Sequence, residues 1–196
     1  MSKITVWLVR HGESTANKGI ITQDIKNISL TYLGQQQAIK IAKEVITEPN
    51  LIVVSPLKRT QDTLSPMLKK WPNAPLEIWP IQELTYLSFT KFFNMNITER
   101  KAAIKQYWEK ADPLYCDGEG AESFEHFVYR LVQFQEKLLE QSGFILIMGH
   151  GQFFKAYLLG LQYGFVATQN WMRLFRKEET QHPIRNGEII KVELEK

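Results

Sequence analysis

VWLVRHGEST, residues Val6 to Thr15, runs from an apolar segment directly into Arg10, His11 and Gly12. The segment Ile4 to Val9 is apolar at nearly every position and rich in β-branched residues, the pattern of a short strand buried on both faces. Strands of that kind belong to parallel sheets covered by helices. A cation and an imidazole at such a strand end have two readings. They meet water, or they form half of a site whose other half lies further along.

Three later segments repeat the pattern. Leu51 to Val54 is a second buried strand, Pro75 to Trp79 a shorter third and Phe144 to Met148 a fourth. Helical periodicity separates them. Leu33, Ala38, Ile41, Ala42, Val45 and Ile46 give one apolar face, with Thr31 as N-cap and Pro49 as stop. Ser55-Pro56 suits a turn into a helix with Pro at its first position, running to about Trp71. Phe124, Phe127, Val128, Leu131, Phe134 and Leu138 mark a strong amphipathic helix within Glu122 to Gln141. A helix after Gly149-His150-Gly151, a helical segment near Asn170 to Arg176, the Asn186-Gly187 turn and a strand from Glu188 to Leu194 complete the chain. The expected fold is α/β, a three-layer α/β/α sandwich around a mostly parallel sheet. One domain over 1–196 is expected, with a largely helical, aromatic-rich insertion near 84–121 and a helix-like piece from Ile97 to Lys110.

Composition narrows the function. The chain of 196 residues is 44% hydrophobic and 23% charged, which suits one globular core. A net charge of +3 is too small and too evenly spread to imply nucleic acid. No segment approaches the ~20 apolar residues that span a bilayer, and the N-terminus lacks a secretory pattern, so a cytoplasmic protein without a membrane partner is expected. The single cysteine, Cys116, precedes the acidic run Asp117 to Glu122, which opposes both phosphate and thiolate; it reads as incidental. His11, His126, His150 and His182 lack zinc-type spacing, and no metal or other cofactor is expected; His126 and His182 read as surface or structural residues.

The residues just beyond each strand are more specific. The first strand leads to Arg10-His11-Gly12, the second to Ser55 through Arg59, the third to Glu83 and the fourth to Gly149-His150-Gly151. Ligands in such sheets bind beyond the carboxyl ends of the strands. Arginine forks suit phosphate oxygens. A neutral imidazole is a nucleophile toward phosphorus, a second can stabilise developing charge, and a carboxylic acid can protonate a leaving oxygen.

LVRHGES, then Asn17, SPLKRTQDT, IQE, GEGAESF and MGHG together resemble the histidine phosphatase superfamily, in its phosphoglycerate mutase-like first branch. The resemblance implies that His11 becomes a phosphohistidine, that Arg10, Arg59 and His150 hold the phosphoryl group, and that Glu83 is the proton donor. It further implies phosphate or substrate contacts at Asn17, Gly151 and Gln152, and no metal. The implied partner is a small phosphorylated substrate or inorganic phosphate. Two segments also read locally: Glu13 as a residue favoured in the first turn of a helix, and Glu122-Ser123 as a helix start.

The chain departs from relatives in lacking a glycine in Leu84 to Ser88, just after the acid, and in lacking the arginine-histidine-tyrosine-glycine stretch of dedicated mutases. Hydrolysis of a phosphomonoester is therefore the expected reaction. The alternatives are mutase-type phosphoryl transfer and a non-catalytic phosphate or phosphoprotein binder. Of the insertion's aromatics, Phe92 and Trp108 are expected in a satellite core, while Tyr86, Phe89 and Tyr115 suit either that core or a substrate wall. Oligomeric state leaves no mark in the sequence.

Overall fold

The computed structural model describes residues 3–20 and 24–195; the outermost positions of the expected 1–196 domain lie outside this range. In chain order the elements are β1 (Lys3–Arg10), α1 (Tyr32–Glu44), β2 (Leu51–Val54), α2 (Lys58–Lys70), β3 (Leu76–Ile78), α3 (Phe89–Asn94), α4 (Ile97–Lys110), α5 (Phe124–Leu139), β4 (Gly143–Gly149), α6 (Gly151–Tyr163), α7 (Gln169–Gln181) and β5 (Ile189–Glu195). The sheet runs β3-β2-β4-β1-β5. β3, β2, β4 and β1 are parallel, and β5 closes the far edge antiparallel to β1.

The continuous apolar runs arise because successive side chains point to opposite faces and both faces are covered. Ile4, Val6 and Leu8, with Leu51, Val53, Ile145 and Ile147, pack into the core shared with α5, α6 and α7. Val9, Ile52, Val54, Leu146 and Met148 face α1 and α2. The result is the three-layer α/β/α arrangement. Among the described residues no helix is long and apolar enough to cross a membrane.

Register positions the site. β1 pairs with β4 from Ile4 opposite Gly143 to Arg10 opposite Gly149, and β2 pairs with β4 up to Val54 opposite Met148. The three strands therefore end level, with His11, Ser55 and His150 side by side.

Local details depart from the sequence expectations. Thr31 does cap α1, accepting from the Gly34 amide. The buried face of α1 is Gly34, Ala38, Ile41 and Ala42. Leu33 instead shares the outward row of Gln37, Lys40 and Glu44 and is half exposed, and Ile46 lies beyond the helix and is 79% exposed. Pro56 lies outside α2, whose cap is Leu57, so the turn takes two more residues than a proline at the first helical position would need. β3 keeps only three residues at the sheet edge. No helix begins at Glu13; its carboxylate accepts from the Thr31 hydroxyl at 2.7 Å and ties the loop after β1 to the start of α1.

Candidate active site

His11 continues β1, its amide donating to the Gly149 carbonyl at 3.0 Å. The next amide, Gly12, donates to Thr63 Oγ1 at 3.0 Å, and that hydroxyl donates to the Arg59 carbonyl at 2.6 Å. The loop also packs backbone to backbone on α1. A Cβ at Gly12 would lie 2.5 Å from the Gly34 carbonyl oxygen, and a Cβ at Gly34 would lie 2.1 Å from the Glu13 carbonyl oxygen.

Hydrogen bonds fix the imidazole tautomers. His11 Nδ1 lies 2.7 Å from the Gly12 carbonyl, which only accepts, so Nδ1 carries the proton. Nε2 is left with its lone pair and accepts from Arg59 Nε at 3.2 Å. Arg59 Nη2 donates to His150 Nδ1 at 3.2 Å, and His150 Nε2 donates to Ser55 Oγ at 2.8 Å. One guanidinium thus bridges two buried imidazoles whose rings meet edge on, 5.2 Å apart.

Burial, reinforced by the Arg59 charge, holds the His11 imidazole far below its ordinary 6.5, at about 3. His150 is lowered well below 6.5 for the same reasons in the same order. Both rings are neutral at neutral pH. The unfolded chain binds protons at these histidines from about pH 6.5 downward, whereas the folded His11 does not until about pH 3. In that window unfolding takes up protons, so stability falls as pH falls. The urea midpoint is expected to drop between about pH 7 and pH 4, less steeply in His150→Gln. Equal slopes in the two proteins would contradict a neutral His150.

Arg10 reaches the site from the other side. Its Nη1 donates to the Ile184 carbonyl, while Nε is buried with no hydrogen-bond partner among the described residues. The guanidinium lies over Gly151, where a Cβ would stand 3.1 Å from Nε, so glycine is what permits this approach. The Gln152 amide donates to Glu83 Oε1 at 3.5 Å, placing the acid beside the start of α6. Asn17 Oδ1 accepts from the amide and hydroxyl of Ser14 and from Asn186 Nδ2, which also donates to the His11 carbonyl.

Two adjoining cavities open here. The larger, about 520 Å³, is lined by His11, Arg59, Asn17 and Glu83 together with apolar side chains. The smaller, about 220 Å³, is lined by Arg10, Gly151, Gln152, Lys155 and Glu179, and again by Asn17 and Glu83. Every candidate residue except His150 therefore borders one or both; His150 lies behind Arg59. Among the described residues no cluster of three His, Cys, Asp or Glu side chains is arranged to hold a metal.

Glu83 sits on an irregular segment after β3 that is held from outside. Arg130 of α5, 8% exposed, donates to the Pro80 and Gln82 carbonyls at 2.8 and 3.1 Å. It also grips Glu122 through both carboxylate oxygens, at 2.6 and 3.0 Å. Glu122 in turn accepts from the Thr85 amide through Oε1 and donates to the Thr85 carbonyl through its own amide. Glu122 is thus more than a helix start; Ser123 is the cap. Sequence reading missed Arg130 and the contact of Asn186 with His11, and it quoted Thr63 only as the end of SPLKRTQDT, with no role. Arg130 left a signal, a cation on the apolar face of α5 between Phe127 and Phe134.

The other expectations divide. His126 and His182 are on the surface beside Glu122 and Glu178, and Cys116 is exposed. Trp108 and Tyr115 pack against the core. Phe92, expected there too, lines the larger cavity instead, with the Arg100 guanidinium over its ring. Tyr86 does both, and Phe89 lines the cavity.

Known proteins share this fold. A Schizosaccharomyces pombe protein named probable phosphatase C1687.21 is 27% identical over 152 residues, 74% of this chain and 68% of that one. A solved alpha-ribazole phosphatase from Shigella flexneri matches with a TM-score of 0.68 at 20% identity, over 95% of this chain and 89% of its own. A phosphoserine phosphatase from Entamoeba histolytica, solved with 3-phosphoglyceric acid, matches with a TM-score of 0.69 at 21% identity, over 96% and 89%. The family model of the histidine phosphatase superfamily, branch 1, matches residues 6–187, and the chain belongs to that superfamily.

Proposed function

We propose that this chain hydrolyses phosphomonoesters through a phosphohistidine at His11, without a metal. The observation that carries the reading is the His11 tautomer: Nδ1–H is anchored on a backbone carbonyl, leaving a neutral Nε2 lone pair at the cavity. The phosphatase names of the relatives support hydrolysis.

In the unliganded site Arg59 Nε occupies that lone pair. A phosphate oxygen offers the guanidinium a stronger, charged acceptor. Substrate binding thus draws Arg59 off His11 and uncovers the nucleophile. Arg10, whose Nε has no partner among the described residues, takes another oxygen. His150 presents a lone pair on Nδ1 while Arg59 donates to it, so its donation to a phosphoryl oxygen requires a proton that arrives with the phosphate. Asn17 and the start of α6 at Gly151 and Gln152 border the same anion.

His11 Nε2 attacks phosphorus as the bond to the alcohol oxygen breaks, and Glu83 gives that oxygen its proton. Water then attacks the phosphohistidine, Glu83 takes a proton from it, the P–N bond breaks and phosphate leaves. A cytoplasmic setting fits a single, free and exposed cysteine.

The test is rapid quenching of a turnover with substrate labelled in the phosphoryl group and EDTA present. The expected result is an acid-labile, base-stable label on His11, followed by release as inorganic phosphate. Turnover with no such label, turnover abolished by EDTA, or transfer to an acceptor in place of release would each overturn the corresponding part.

A further inference from the structure

The larger cavity is asymmetric in chemistry. His11, Arg59 and Glu83 lie among residues that are otherwise mostly apolar: Ile25, Ile28 and Leu57 from the segments before α1 and α2, and Tyr86, Phe89 and Phe92 from the segment after Glu83. The aromatic wall is backed. Tyr86 packs 4.7 Å from Tyr107 and 5.2 Å from Trp108, ring centre to ring centre, so α4 of the insertion fixes its plane. The Arg100 guanidinium lies over the Phe92 ring, 5.0 Å from its centre. Burial raises the Tyr86 hydroxyl above its ordinary value, so that ring is neutral. The neighbouring smaller cavity differs: Arg10, Lys155, Gln152 and Glu179 make it polar, and its volume is less than half as large.

We infer that the larger lobe seats the organic group of the substrate, and that it selects the phosphate ester of an apolar, aromatic alcohol carrying no second anionic group. This rests on the hydrolase reading above. The nucleophile opens into this lobe, so the ester oxygen and the group beyond it enter there. An apolar ring gains by leaving water and by offset contact with Tyr86, Phe89 and Phe92. A substrate carboxylate or second phosphate would lose its hydration among these side chains. Among the described lining residues Lys26 is the one cation besides Arg59, and Arg59 is committed to the transferring phosphate. The aromatic-rich insertion thereby has a function at the site: it builds the side of the lobe that recognises the alcohol.

The experiment compares kcat/KM for ethyl phosphate, 2-phenylethyl phosphate and 3-phosphoglycerate. The first two release alcohols of closely similar acidity, so the difference reads recognition of the ring. The phenylethyl ester is expected to exceed ethyl phosphate by about 10- to 100-fold. 3-Phosphoglycerate is expected at or below ethyl phosphate, and Phe89→Ala should shrink the phenylethyl-to-ethyl ratio several-fold. Equal values for the two neutral-alcohol esters, or 3-phosphoglycerate as the best of the three, would overturn this inference and leave the hydrolase reading standing. No turnover of any ester, with no label on His11, would overturn the hydrolase reading itself. The wild-type ratio decides the matter even if Phe89→Ala does not fold.

Discussion

His11→Ala is expected to lower turnover of every phosphomonoester by about 10⁴-fold or more, and to abolish the covalent label. Removing a nucleophile deletes the first bond-forming step, and residues that act as one unit cannot compensate for each other. The fold is expected to persist. The imidazole is buried and neutral, so its loss strands no charge. The groups it leaves are a carbonyl at Gly12 and one Arg59 N–H, and removing the ring, which lines the cavity, opens a path for water to both. Far-ultraviolet circular dichroism and phosphate-dependent thermal stabilisation should therefore stay close to wild type, because Arg10 and Arg59 remain. A variant that folds and keeps more than about a tenth of wild-type turnover would show that phosphorus is attacked by something other than His11.

The second large effect concerns the proton. Glu83→Gln is expected to cut kcat/KM on alkyl phosphates by about 10²- to 10⁴-fold, the usual worth of a general acid. On p-nitrophenyl phosphate, whose leaving phenolate needs no proton, the first step should fall by less than about tenfold. Equal losses on both would remove Glu83 from that role. Arg130 acts one step back, since it holds the carbonyls of Pro80 and Gln82 in the stretch that leads into the acid. Arg130→Met should show the same leaving-group pattern at smaller amplitude, about tenfold on alkyl esters, together with a stability loss of about 1–3 kcal/mol from leaving the half-buried Glu122 and the Pro80 and Gln82 carbonyls without their donor. Adding Glu122→Gln should restore part of the stability while the leaving-group pattern persists. A double variant that recovers both would make Arg130 a purely structural residue.

The contrast between Arg59 and Arg130 shows what was legible in the sequence. Arg59 follows a buried strand and a turn proline, so its place at the carboxyl edge of the sheet could be read from local pattern alone. The same holds for His11 and His150, since β1 and β4 are unmistakable as runs buried on both faces. Arg130 lies on a helix whose position over the Pro80–Thr85 segment depends on tertiary packing, which periodicity does not encode. Asn186 reads as a turn residue, and only the antiparallel return of β5 brings it to His11. Leu33 failed for a different reason. Its spacing to Ala38 is five residues, off the 3.6-residue repeat, and its row is otherwise polar.

The last strand carries a consequence for how the protein is made. The Arg10 amide donates to the Glu188 carbonyl, the Gly187 amide to the Arg10 and His11 carbonyls, and the Asn186 side chain to His11 and Asn17. The strand bearing the nucleophile is thus fastened by residues made some 175 positions after it. β1 also has both its neighbours, β4 and β5, in the final third of the chain. A nascent chain cannot complete its phosphate pocket before β4 and β5 are made, and the strand bearing the nucleophile waits unpaired until then. Phosphate affinity therefore depends on β4 and β5 having docked on β1, which makes bound phosphate a reporter of the assembled sheet.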